Sequence, residues 1–124
     1  MKVKSEKREK GFTLIELMVV ISIIILLAGI MLPNFLKQME KAKLAKAKAD
    51  IEILIRSLTL YKIDNEVFPP SLSYLTSGEH PYLSREIPPS PWKGEYIYSL
   101  YSNYYVIQAT DYSGKVKYSE TIKF

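Results

Sequence analysis

Charged and polar residues crowd the chain as far as Lys10, and then the pattern changes. From Leu17 to Leu36 the sequence LMVVISIIILLAGIMLPNFL carries no charge over 20 residues. As a helix this run spans roughly 30 Å, about the hydrocarbon thickness of a bilayer. A buried core helix is the alternative, but the 88 residues that follow are too few to wrap a cylinder apolar on every side. A conventional secretory signal would have a shorter apolar region and a small-residue cleavage site, which Ala28-Gly29-Ile30 does not supply. The pattern therefore predicts a membrane span.

Past Lys37 the apolar residues thin into a stripe: Leu44, Ala47, Ile51, Leu54, Leu58 and Tyr61, at intervals of 3, 4, 3, 4 and 3. That spacing holds one helical face. No proline falls between residues 34 and 68, so a single helix is expected from near Phe12 to about Ile63, roughly 75 Å long. Ile53 and Ile55 widen the stripe, which predicts burial of this half on more than one side. Three segments rich in aromatic and β-branched residues follow, at 95–100, 104–110 and 116–119. Short turns at Tyr101-Ser102-Asn103 and Asp111 to Gly114 join them into an antiparallel meander. Residues 64–94 hold six of the seven prolines and read as a loop with a short helix near Ser71 to Thr76. The expected fold is α+β, a long N-terminal helix packed on a small antiparallel sheet. Its parts are a leader at 1–11, an apolar half-helix at 12–36, an amphipathic half-helix at 37–63, and a loop and sheet at 64–124 that form one globular unit with 37–63.

Composition narrows the function. The 124 residues include no Cys and one His (His80, expected in an exposed loop), which excludes disulfide scaffolds, thiol nucleophiles and His-pair metal motifs. No phosphate-cradling glycine loop and no pair of carboxylates spaced for acid–base work is present, so no enzyme activity is expected. The net charge of +4 is concentrated at the start: residues 1–11 contribute +3 and the other 113 only +1. Lys37, Lys41, Lys43, Lys46 and Lys48 divide between helix faces and are diluted by Glu40 and Asp50. They read as a solvated helix beside anionic headgroups, and no nucleic-acid partner is expected. Lys and Arg number five on each side of the span, so charge alone leaves its orientation open. The ten tyrosines read chiefly as sheet-packing residues.

Two features inside the apolar region are costly. Glu16 lies among Phe12, Leu14, Ile15, Leu17 and Met18, where an unpaired carboxylate costs about 2.5 kcal/mol or more unless it reaches the interface. Pro33 removes the hydrogen bond to residue 29, and residue 29 is glycine, so Gly29 to Pro33 is a soft spot or a tolerated kink.

The segment Gly11-Phe12-Thr13-Leu14-Ile15-Glu16, behind a short basic leader and ahead of a long apolar run, resembles the type IV prepilin signature. Residues 48–65, Phe68-Pro69, and Pro88-Pro89-Ser90-Pro91-Trp92-Lys93-Gly94-Glu95-Tyr96 resemble the major pseudopilins of type II secretion systems. That family's Pro-x-Asp-Pro-Trp-Gly-x-x-Tyr is met here at Pro91, Trp92 and Tyr96, with Ser90 in place of Asp and Lys93 in place of Gly. The resemblance implies a type IV pilin-like fold. It also implies cleavage between Gly11 and Phe12 by a prepilin peptidase, methylation of the new Phe12 amine, and retention of the span in the mature protein. Glu16 and the Phe12 amine are the residues it implies for filament assembly, with Gly29 and Pro33 as the flexible segment and Pro91, Trp92 and Tyr96 as a structural loop.

The implied partners are identical subunits, the peptidase/methyltransferase, an inner-membrane assembly platform with a cytoplasmic ATPase, minor pseudopilins and the lipid bilayer. The implied location is the inner membrane, with the leader in the cytoplasm, the C-terminal domain in the periplasm, and then a periplasmic filament. Major pseudopilins usually end in a calcium loop. Here only Asp111, in Asp111-Tyr112-Ser113-Gly114, is a candidate ligand, and an isolated aspartate more often opens a turn; no cofactor is expected. A filament subunit that drives protein export is the reading the sequence favours. The alternatives are the major pilin of a type IV pilus, serving adhesion, motility or DNA uptake, and a monomeric membrane-anchored binding module.

Overall fold

The computed structural model describes residues 10–124. The leader side chains Lys2, Lys4, Lys7 and Arg8 lie outside them. The chain divides into two compact units, one ending at Gln38 and the other running Met39–Phe124. Helix α1, Leu14–Asn65, contributes to both.

The helix starts two residues later than Phe12, because Thr13 acts as its cap: the Thr13 hydroxyl accepts the Glu16 backbone N–H at 3.2 Å. It ends where Glu66 takes a left-handed backbone (φ 64°) just ahead of Pro69 and Pro70. Pro33 sits inside an uninterrupted α-helix. In the first unit every residue from Leu17 to Leu36 is exposed, and the most apolar window of α1 is 0% buried. Length and composition allow this helix to cross a membrane.

In the second unit strands β1 (Lys93–Leu100), β2 (Tyr104–Asp111) and β3 (Val116–Lys123) form an antiparallel sheet in the order β1-β2-β3. The register sets Tyr96, Ala109 and Tyr118 in one row, with Tyr98, Ile107 and Glu120 in the next, and Leu100, Tyr105 and Ile122 in the third. Small Ala109 between two tyrosines leaves room for their rings. Against this face α1 buries Ala47, Ile51, Leu54 and Leu58, joined by Leu72 and Leu75 of the connecting loop. The expected short helix there is one 3₁₀ turn, Leu72–Leu75.

Two expectations need correction. Ile53 is 53% exposed and Ile55 only partly buried, so the helix is covered along one face and not on several sides. Three strands are too narrow to curl around it. The strands also run further than expected, β1 starting at Lys93 and β3 reaching Lys123. In β3 the charged Lys117, Glu120 and Lys123 lower the β signal without breaking the ladder.

Candidate functional site

Chemistry at the N-terminal turn follows from its sequence. Thr13 and Glu16 form half of a Thr-x-x-Glu capping box: the hydroxyl takes the Glu16 N–H, while the Glu16 carboxylate has no hydrogen-bond or ion-pair partner among the described residues. Glu16 stands in the first turn of α1, where the helix dipole favours an anion. Phe12, 90% exposed, lies just before the helix. The turn thus presents an acid and an aromatic chain segment side by side on an otherwise apolar surface. Thr13 escaped attention in the sequence, although its spacing to Glu16 is the signal that marks it.

The second arrangement ties the Pro-Trp loop to α1. The Trp92 indole N–H donates to Glu40 Oε2 at 3.0 Å, and Lys43 donates to Oε1 of the same carboxylate at 3.0 Å. The Tyr96 hydroxyl donates to Asp50 Oδ2 at 2.6 Å, an oxygen that Lys46 also reaches at 2.9 Å. Burial and the Asp50 carboxylate push the Tyr96 hydroxyl well above its ordinary range. Glu40 and Asp50, which in the sequence only dilute the lysines, are therefore the two latches of this loop. Residue 40 is the less obvious, since its partner is 52 positions away.

The bond from Trp92, and then that from Lys43, hold the Glu40 carboxyl below the usual glutamate range. A carboxyl whose folded-state value is depressed adds stability above its unfolded value and loses it as pH falls through the folded one. Emission from Trp92, the single tryptophan, is therefore expected to stay constant through the usual glutamate range and to shift only below it. In a Glu40→Gln variant this low-pH transition should disappear from the fluorescence titration.

Within the loop, Ser90, where the pattern that the sequence resembles has Asp, supplies a buried hydroxyl. It donates to the Thr110 carbonyl and accepts the N–H groups of Trp92 and Gly94, each at 3.3 Å. A carboxylate could accept both N–H groups but has no proton for Thr110. Lys93, where the pattern that the sequence resembles has glycine, has φ 67°. A side chain in the left-handed region costs about 1–2 kcal/mol, partly offset by the extra freedom of glycine in the unfolded chain, roughly 0.5–1 kcal/mol. Lys93→Gly is thus expected to stabilise by about 0.5–1 kcal/mol. That corresponds to a rise of roughly 2–6 °C in Tm for a domain of this size, measured by thermal unfolding in detergent.

At Asp111 the residues do not fit calcium. Its Oδ1 already accepts the Ser113 N–H at 2.9 Å, the Ser113 hydroxyl at 2.6 Å and the Lys115 N–H at 3.0 Å. These bonds, the Ser113 hydroxyl foremost, hold its carboxyl below the usual range. A hard cation takes roughly six to eight oxygens, several of them carboxylate. Among the described residues no three or more His, Cys, Asp or Glu side chains cluster, and Lys115 and Lys117 flank the turn. Asp111 closes a hairpin.

Comparison with known proteins matches residues 7–32 to the prokaryotic N-terminal methylation motif and residues 34–111 to the family described as type II secretion system (T2SS), protein G. The chain belongs to the type II secretion system protein G family. The type II secretion system core protein G of Vibrio cholerae is 36% identical over 108 residues, covering 77% of this chain and 73% of the relative. That of Escherichia coli K12 is 35% identical over 108 residues, covering 76% and 74%. The protein of the same name from Dickeya chrysanthemi is 38% identical over 105 residues, covering 73% and 68%. No solved structure gives a significant match.

The protein G match ends at Asp111, the last residue of β2. Both latches lie inside it. Gly11, Phe12 and Glu16 all fall within the methylation motif. The structure brings Phe12 and Glu16 to one helix end, and Trp92 and Tyr96 onto acids of α1; Gly29 and Pro33 lie along the exposed apolar part of the helix.

Proposed function

We propose that this chain is a structural subunit, the major pseudopilin of a type II secretion system, which polymerises from the inner membrane into a filament that drives protein export across the outer membrane. The observation that carries the reading is the Glu16 carboxylate, without a partner among the described residues, on an exposed apolar helix one turn from Phe12. Before processing, Phe12 offers only a peptide N–H. Cleavage after Gly11 gives it an ammonium and removes a leader whose charges could not enter an apolar filament core. Methylation keeps the positive charge. Phe12 of one subunit then pairs with Glu16 of the next and fixes their register, while Gly29 to Pro33 gives the packed helices a place to bend.

On this reading the leader is cytoplasmic and Met39–Phe124 periplasmic. The partners are further copies of the chain, the prepilin peptidase/methyltransferase, the assembly platform with its ATPase, minor pseudopilins and the bilayer. The Trp92 and Tyr96 latches, inside the protein G match, favour export over a type IV pilus. Mass spectrometry of the chain from its native cells tests the reading: the mature N-terminus is expected at Phe12 with a methylated amine. A chain that still begins at Met1 would contradict it and favour a monomeric anchor.

A further inference from the structure

The end of the Met39–Phe124 unit at which α1 enters it is basic and aromatic. Trp92 and Lys43 both hold Glu40 there, and the Lys117 charge acts on Glu40 and on Asp111, so it stands between the helix and the β2–β3 turn. Lys93 faces Asp111 across β1 and β2, just ahead of that turn. Lys93, Lys115 and Lys117 are exposed; so are Tyr112, at 85%, and Val116, at 43%. Residues 39–43, 92–93 and 111–117 together carry five lysines against Glu40 and Asp111, a balance of +3. The 113 residues after Gly11 carry only +1, so the rest of them is net acidic and the positive charge is gathered at this end.

Chain continuity decides what this end meets. The uncharged run stops at Leu36, four residues before Glu40, so in a membrane-anchored chain Glu40 stands at most about 14 Å from the hydrocarbon edge. We propose that the β2–β3 turn, with Lys93 and Lys117 beside it, docks on the anionic phospholipid headgroups of the membrane that anchors the chain. The inference rests on the membrane-anchored reading above. Charge complementarity names the occupant: lysines suit phosphates, and Tyr112 suits the interface where amphipathic aromatic rings settle. A second copy would instead bring the same excess of lysine to the contact. Lys93 supplies an independent sign. It is held at φ 67°, where glycine costs less, and strain kept at an exposed position is accounted for if the position is there for its charge. The contact belongs to the subunit stored in the bilayer, since a subunit lifted into a filament leaves the headgroups behind.

Trp92, the single tryptophan, stands at the edge of this surface and reports on it. The full-length chain is reconstituted into vesicles of phosphatidylcholine, with or without phosphatidylglycerol, that contain lipid brominated near the headgroup. Quenching of Trp92 is expected to be at least twofold stronger in the anionic vesicles. Salt at about 1 M, where the screening length falls to roughly 3 Å, is expected to remove the difference. Lys93→Gly is the decisive variant, because it is expected to raise Tm and yet lower the ratio of docked to undocked chain about fivefold, one lysine's share. With Lys115→Gln and Lys117→Gln added, the ratio is expected to fall by roughly 10² and the two lipids to become equivalent. Equal quenching in both lipids, or a difference that neither salt nor the triple variant moves, overturns the inference. A difference that follows the number of chains per vesicle and not the lipid charge makes a second copy the occupant and also overturns it. In each case a chain that floats with the vesicles leaves the membrane-anchored reading standing, whereas one that does not float overturns both.

Discussion

Replacing Glu16 with Leu is expected to abolish filaments while leaving a chain that inserts into the membrane, loses its leader and accumulates as monomer. The substitution removes the only charge between Phe12 and Lys37, so it makes insertion easier. On the proposed pairing its cost falls on the neighbouring subunit, whose Phe12 ammonium would be left in an apolar environment with no counter-ion. Truncating one member of a buried ion pair costs about 3–5 kcal/mol, much more than the intact pair adds. At 1.4 kcal/mol per decade, a contact weakened to that extent raises the concentration needed for polymerisation by roughly 10² to 10³ or more. Because the same contact recurs at every subunit, growth should stop altogether. The measurement is filament yield by shearing and electron microscopy, beside the processed fraction by mass spectrometry.

A contact within one chain predicts something else. Residues 12 and 16 are four apart, and a pair at that spacing on an exposed helix contributes only about 0.2–0.5 kcal/mol. If the Phe12 amine served only its own Glu16, Glu16→Leu would fray the first turn and leave assembly nearly intact. Helix initiation also has Thr13, whose hydroxyl already holds the Glu16 backbone N–H and does so whatever side chain residue 16 carries. The variant therefore separates the carboxylate's role between subunits from the cap's role within one. Normal filaments from Glu16→Leu would refute the pairing.

How much of this could be read in advance depends on how far apart the cooperating residues lie. The stripe from Leu44 to Tyr61 announced the buried face of α1, and Ala47, Ile51, Leu54 and Leu58 are indeed its core contacts, because periodicity is a local signal. The same signal misjudged Ile53, since it records that a residue is apolar and not whether a three-stranded sheet is wide enough to reach it. Glu40 and Asp50 looked like dilution of a lysine cluster because their donors arrive from 52 and 46 residues away, a distance that only the folded chain closes. At the N-terminus the acid in the apolar run was conspicuous by cost alone, whereas Thr13 needed the capping spacing to be noticed. Lys93 stands between these cases: its departure from a glycine pattern was visible, but only the backbone gives the reason.

Gly94 is one residue further on, and Gly94→Ala is expected to be the most damaging single-methyl change in the globular unit. Between Lys93↔Asp111 and Tyr96↔Ala109 the register slips, so Gly94 and Glu95 together oppose Thr110. The bulge is closed by Thr110, whose hydroxyl accepts the Glu95 N–H at 3.0 Å and donates to the Glu95 carbonyl at 3.1 Å. On the other side the Ser90 N–H donates to the Gly94 carbonyl at 2.9 Å. Held from both sides, residue 94 lies so close to β2 that a Cβ would run into the carbonyl oxygens of Thr110 and Asp111. Those atoms are backbone and cannot turn aside as a side-chain tip could. Either the strand pair separates here or the bulge slips, and slippage also displaces Trp92 and Tyr96 from Glu40 and Asp50. Overpacking of this kind costs typically 1–3 kcal/mol, and the loss of both latches adds to it, so about 3 kcal/mol or more is expected. In a domain this small, with a total stability on the order of 5–10 kcal/mol, that lowers Tm by roughly 10 °C or more. Gly114 is the control. Its φ of 84° makes Gly114→Ala strained, but a Cβ there meets nothing within 4 Å, so about 1–2 kcal/mol is expected. Thermal unfolding of the two variants side by side, followed by Trp92 emission, distinguishes them: a Gly94→Ala chain as stable as Gly114→Ala would show that the bulge can relax and that the Pro-Trp loop is not fixed by it.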